Sequence, residues 1–80
     1  MDRNAAFELV KKHLAEQFEL PADSITADSH LFEDLGLDSI DALDMIGFLE
    51  SEYDIRVDET EMKKIRTVRD VMDFLVRHVP

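Results

Sequence analysis

The stretch Asp34-Leu35-Gly36-Leu37-Asp38-Ser39-Ile40-Asp41 decides how the rest of the chain is read. Gly36 stands where a left-handed or tightly turned backbone is needed ahead of a regular element, a region glycine enters without a Cβ clash. Asp38 carries the short acceptor of a helix N-cap, and Asp41, three residues on, completes a short-armed capping box. A helix therefore starts at Asp38 or Ser39. Its apolar line through Ile40, Leu43, Ile46, Leu49 and Tyr53 carries it to about Tyr53, with Gly47 inside it costing up to about 1 kcal/mol relative to alanine. A serine hydroxyl is thereby left at the first helical position, pointing outward, where unpaired N–H groups and the positive end of the helix dipole favour a bound phosphate. The carboxylates of Asp38 and Asp41 oppose such an anion unless the cap holds them aside or a cation bridges them.

Working outward, residues 4–19 read as a helix. Phe7, Val10, Leu14 and Phe18 recur at spacings of three and four, Ala6 and Leu9 widen the stripe, and Leu20-Pro21 closes it. Residues 20–37 form a long loop anchored by Ile25, Leu31, Phe32, Leu35 and Leu37, with a turn of helix expected near Leu31–Leu35. An irregular connection of this length is uncommon in a compact domain and usually functional. The pairs Asp58/Glu61 and Thr67/Asp70 repeat the cap spacing. They open a short helix ending near Lys64 and a last helix to about His78, whose buried face is Val68, Val71, Met72, Leu75 and Val79. Arg77 and His78 suit the negative end of that helix. No segment alternates with a period of two. The expected architecture is an all-α four-helix bundle with three main helices, one short third helix and a long first loop, residues 1–80 forming one domain.

Charge and composition exclude several classes. The formal net charge is −10, and from Asp28 to Glu61 twelve acids face one base, Arg56. Nucleic-acid recognition needs a basic face, so it is disfavoured, and an anionic membrane surface would repel the chain. The excess is confined to the middle of the chain, which favours a docking surface for basic proteins over a merely solvated one. The acidic crowding also implies a fold that responds to divalent cations and ionic strength. There is no cysteine, hence no disulfide framework, thiolate metal site or thiol nucleophile. No apolar run approaches the roughly 20 residues of a membrane span, and the first residues lack the apolar core of a secretion signal. A cytoplasmic protein is the expectation, and nothing in the sequence points beyond a monomer.

Two other readings of this stretch fail, one catalytic and one metal-binding. A hydrolase nucleophile elbow requires glycines two residues to either side, and His13, His30 and His78 form no base–orienter partnership with Ser39. A calcium loop requires alternating ligands about a central glycine, whereas Asp38, Asp41 and Asp44 are spaced by three. No metal site is expected. A plain helix start and an unmodified acidic interaction module remain open at this point.

The same stretch resembles the attachment motif of acyl carrier proteins, Asp-Ser-Leu/Ile preceded by Leu-Gly-x. The likeness continues through Glu50-Ser51-Glu52-Tyr53, Val57-Asp58, Met62-Lys63-Lys64-Ile65 and Thr67-Val68-Arg69-Asp70-Val71. The resemblance implies a non-catalytic carrier. A phosphopantetheinyl transferase would join a 4'-phosphopantetheine arm from coenzyme A to Ser39, beside Asp38, and the arm would carry acyl groups between fatty-acid or polyketide synthase enzymes. It makes the second helix the recognition helix, with Asp38, Asp41, Asp44, Glu50 and Glu59 meeting basic patches of those enzymes and Ile40 and Leu43 as apolar contacts, although these last two could equally be core. It places an acyl cavity among Ala42, Ile46, Leu49, Val57, Met62, Ile65, Val71 and Leu75, which at helical spacing are core residues first. The alternative within the family is a peptidyl or aminoacyl carrier. Gly47, Phe48, Met62 and Arg56 depart from the residues usual in this family and suggest a specialised cargo, Met62 by narrowing the cavity.

Overall fold

In the computed structural model, which describes residues 1–80, four helices follow one another: α1 (Arg3–Gln17), α2 (Ser39–Tyr53), α3 (Glu59–Lys64) and α4 (Val68–His78). Each starts where an acceptor side chain stops a donor from going unpaired. Asp2 accepts the N–H of Ala5, Asp38 that of Asp41, Asp58 that of Glu61 and Thr67 that of Asp70. The boxes of α2 and α4 are reciprocal, because Asp41 and Asp70 reach back to the N–H of their own cap residues. At the other ends, α2 stops on Asp54 in the left-handed conformation (φ 51°). The first helix ends two residues earlier than expected. The chain leaves it through Phe18 and reverses at Glu19 (φ 55°), so Pro21 only bounds the helix and does not terminate it.

One apolar core joins all of these pieces. α1 contributes Ala6, Val10 and Leu14, α2 Met45, Ile46 and Leu49, and α4 Val68, Val71, Met72, Phe74 and Leu75, while α1 and α4 lie against each other. Phe7 and Phe18 pack only at the margin of this core. The line expected for α2 needs correcting. Ile40 and Leu43 are 68% and 53% exposed, and Met45 takes the buried position in their place. Phe74 likewise joins the buried face of α4, whereas Val79 is half-buried.

The long loop is a built element. Ile25, Leu31 and Leu37 are buried in the core, and burying one such side chain contributes about 1.5–3 kcal/mol. That is a large share of the roughly 4–12 kcal/mol margin of a chain this size. Its backbone is tied to the start of α4: Leu31 N–H donates to Arg66, Val68 N–H to Ser29 and Arg69 N–H to Ala27 at 2.8–3.0 Å. A single antiparallel bridge between His30 and Thr67 is the only strand-like pairing. The helical turn expected near Leu31–Leu35 is present as an isolated turn, closed by the N–H groups of Asp34 and Gly36 on the carbonyls of His30 and Phe32, and a short 3-10 turn stands earlier, at Ala22–Ser24. Phe32, expected as an anchor, is 37% exposed. The contrast with α3 is instructive: that helix of six residues has no fully buried side chain.

Candidate functional site

The approach to Ser39 is rigidified from both sides. His30 Nδ1 accepts the N–H groups of Phe32 and Glu33, and Asp34 accepts the N–H of His30 at 2.7 Å, which fixes the turn. Gly36 follows with φ 73°, a conformation that L side chains rarely adopt. Leu37 then drops into the core and anchors the last residue before the cap. Asp38 and Asp41 exchange hydrogen bonds, Asp41 N–H to Asp38 at 2.9 Å and Asp38 N–H to Asp41 at 3.1 Å. Each carboxylate is therefore engaged with backbone and held aside from the serine. Ser39 is the first residue of α2 and is exposed. Its hydroxyl is accessible beside the unpaired N–H groups of a fifteen-residue helix, an arrangement that accommodates a phosphodiester.

A cleft of about 270 Å³ opens next to this hydroxyl, between α2 and α3. Ser39, Ala42 and Ile46 line it from α2, Met62 and Ile65 from α3 and the residue after it, so four of the expected cavity residues meet at one place. The other four do not line it. Leu49, Val71 and Leu75 are core, and Val57 lines a separate groove with Gly47 and Arg56 at the far end of α2. Phe32, Leu43, Glu59 and Lys63 also line the cleft. Of these, Phe32 and Lys63 were not expected at any functional position. The spacing of Glu59, Met62 and Lys63 at i, i+3 and i+4 was the available signal, since it puts them on one face of α3.

The expected docking residues divide by their surroundings. Asp38 and Asp44 are exposed, as are Ile40 and Leu43, and Asp41 is half-buried through its box. Glu59 is exposed at the cleft. Glu50 is different: it is half-buried and accepts the N–H of Val57 at 3.0 Å, so one of its oxygens is turned into the loop after α2. No histidine lines the cleft. His13 stacks on Phe48 with ring centroids 4.1 Å apart, and His78 pairs with Glu61 at 3.6 Å. No group of three or more His, Asp or Glu side chains is disposed to hold a metal ion, and no helix is long and apolar enough to cross a membrane.

Known proteins resemble this chain over nearly its whole length. Residues 8–75 match the family described as the phosphopantetheine attachment site. The chain is 42% identical over 74 residues to an acyl carrier protein of Saccharopolyspora erythraea, covering 92% of this chain and 78% of that one. It is 35% identical over 74 residues to an acyl carrier protein of the onion yellows phytoplasma, covering 92% and 97%. The crystal structure of an acyl carrier protein from Thermotoga maritima superposes with a TM-score of 0.81 at 28% identity, covering 96% of this chain and 89% of that one. The chain therefore belongs to the phosphopantetheine-binding acyl carrier protein family, whose members are non-catalytic carriers.

Proposed function

We propose that Ser39 is the attachment point of the arm, and that the chain carries acyl intermediates of fatty-acid or polyketide assembly as one carrier domain. A single observation supports this most: an exposed serine hydroxyl at the first position of a capped helix, at the edge of an apolar cleft. When bound, 4'-phosphopantetheine supplies a terminal thiol on which an acyl group is held as a thioester, a function this cysteine-free chain cannot supply itself. The chain's own residues do the rest. Gly36 and Leu37 present Ser39, and the Asp38–Asp41 box keeps two carboxylates off the phosphate. Ala42, Ile46, Met62 and Ile65 give an acyl chain an apolar surface that shields it from water. Met62, in a position where smaller residues are usual, narrows that space and favours a specialised cargo.

Ile40 and Leu43, exposed among Asp38, Asp41 and Asp44, form the contact surface for a transferase and for synthase enzymes with basic patches. Large exposed apolar side chains ringed by acids suit a partner that buries the former and neutralises the latter. The acidic ring steers the encounter and weakens with salt.

Incubation with a phosphopantetheinyl transferase, coenzyme A and magnesium, followed by intact-mass measurement, tests the attachment. One arm is expected on the wild type and none on Ser39→Ala. No gain, or an equal gain on the variant, would leave only an unmodified acidic interaction module. Loading of the modified chain by an acyltransferase is expected; charging by an amino-acid-adenylating enzyme instead would make it a peptidyl carrier.

A further inference from the structure

Ten units of net negative charge make the placement of each base informative, and Lys63 is the one base on the Ser39 cleft. The chain's ion pairs are Arg3–Asp73, Lys11–Glu8, Arg69–Asp28 and His78–Glu61, and Lys63 belongs to none of them. Glu59 stands one turn earlier on the same helix, at the spacing that ordinarily pairs a glutamate with a lysine, yet the two do not come within ion-pair distance. The ammonium is therefore free on the cleft that Ser39 also lines. Its place in the last turn of α3 suits the helix dipole, but Lys64 occupies the same turn and serves that purpose equally. Lys64 differs in what it faces: it lines another cleft, with Glu61, Asp70 and Asp73.

We propose that Lys63 binds the phosphodiester linking the arm to Ser39 and so ties α3 to the head of α2. The inference rests on Ser39 being the attachment point. Modification places a new negative charge beside Asp38 and Asp41 in an already acidic segment, and Lys63 is the cation positioned to offset it. An ammonium meeting a phosphate oxygen makes a charge-assisted hydrogen bond, a stronger contact than a neutral one. The effect falls on the least secured helix, since α3 buries no side chain fully and opens first on that ground. In this arrangement the arm closes one side of the cleft, and its attachment stabilises the fold where repulsion alone would weaken it.

The test compares arm-free and arm-bearing forms of the wild type, Lys63→Ala, Lys63→Arg and Lys64→Ala, with attachment verified by mass. Thermal midpoints are read at roughly 0.01 M and 1 M salt, where the screening length is about 30 Å and about 3 Å. At low salt, attachment should raise the midpoint of the wild type by about 2–5 °C more than that of Lys63→Ala. The difference should vanish at high salt and persist in Lys63→Arg and Lys64→Ala. The ³¹P resonance of the arm should move in Lys63→Ala and not in Lys64→Ala. An identical midpoint change and an identical ³¹P resonance in the wild type and Lys63→Ala would overturn the proposal. Equal losses in Lys63→Ala and Lys64→Ala would overturn it too, by reducing the effect to diffuse charge. A wild type that gains no mass would overturn the attachment itself.

Discussion

Gly47 and Gly36 are chemically identical and should answer the same substitution with opposite signs. A Cβ built at either position meets nothing within 4 Å, so space does not distinguish them. Backbone does. Gly47 lies inside α2 with helical geometry, where glycine gives up more conformational freedom on folding than alanine would. Gly47→Ala should raise stability by about 0.5–1 kcal/mol, read as a later urea midpoint with an unchanged slope. Gly36, at φ 73°, should lose about 1 kcal/mol or more on the same change, since a Cβ is strained in that region. A destabilised Gly47→Ala would mean that the groove beside it, lined also by Glu50 and Val57, depends on the missing methyl.

At the scale of elements, the contact between α1 and α2 contains a titrating ring. His13 on α1 lies flat against Phe48 on α2, at an interplanar angle of 11°, with Lys12, Glu16 and Gln17 around the same hollow. Its Nε2 is buried with no hydrogen-bond partner. Burial lowers the His13 pKa below 6.5, and the nearby Glu16 carboxylate only partly opposes this. The unfolded chain therefore binds a proton before the folded one does. His13 contributes no pH dependence above about 6.5, and stability is lost as the pH falls from there through the lower folded value. His13→Phe keeps a ring on Phe48 and removes the titration, so its urea midpoint should change less than that of the wild type between pH 7 and pH 5. Equal slopes would show that the ring protonates without disturbing the contact. The stack was not legible in the sequence, and for Ile40 and Leu43 helical period left core and the partner contact implied by the resemblance both open, for one reason. Period and caps act within an element, and the Asp38, Asp58 and Thr67 caps accordingly placed α2, α3 and α4 to within a residue. Which of two apolar stripes faces inward depends on the partner helix, so Met45 displaced Ile40 and Leu43 from the core without any local signal. The same limit split the cleft residues: Ala42, Ile46, Met62 and Ile65 meet because α2 and α3 are adjacent, whereas Val71 and Leu75 of α4 lie beyond reach.

Over the whole molecule the governing quantity is charge, and the structure determines how much of it is compensated internally. Acids at the caps of α2 and α4 accept backbone hydrogen bonds, and Arg3 and Arg69 pair with Asp73 and Asp28. These pairs leave Asp44, Glu52, Asp54 and Glu59, all exposed in the acidic half, without a cation. Their mutual repulsion acts over about 10 Å at 0.1 M salt and works against the compact state. No group of three or more such side chains is gathered at one place, and the response expected is a shared relaxation of repulsion. Millimolar magnesium should raise the melting temperature, by about 4–8 °C for each kcal/mol of repulsion relieved in a domain of this size. The gain should shrink when the measurement is repeated at 1 M sodium chloride, where screening has already removed most of the repulsion. A melting temperature indifferent to magnesium at low salt would mean that the exposed acids are too well solvated to strain the fold. Their confinement to the middle of the chain would then have to be explained by partner recognition alone.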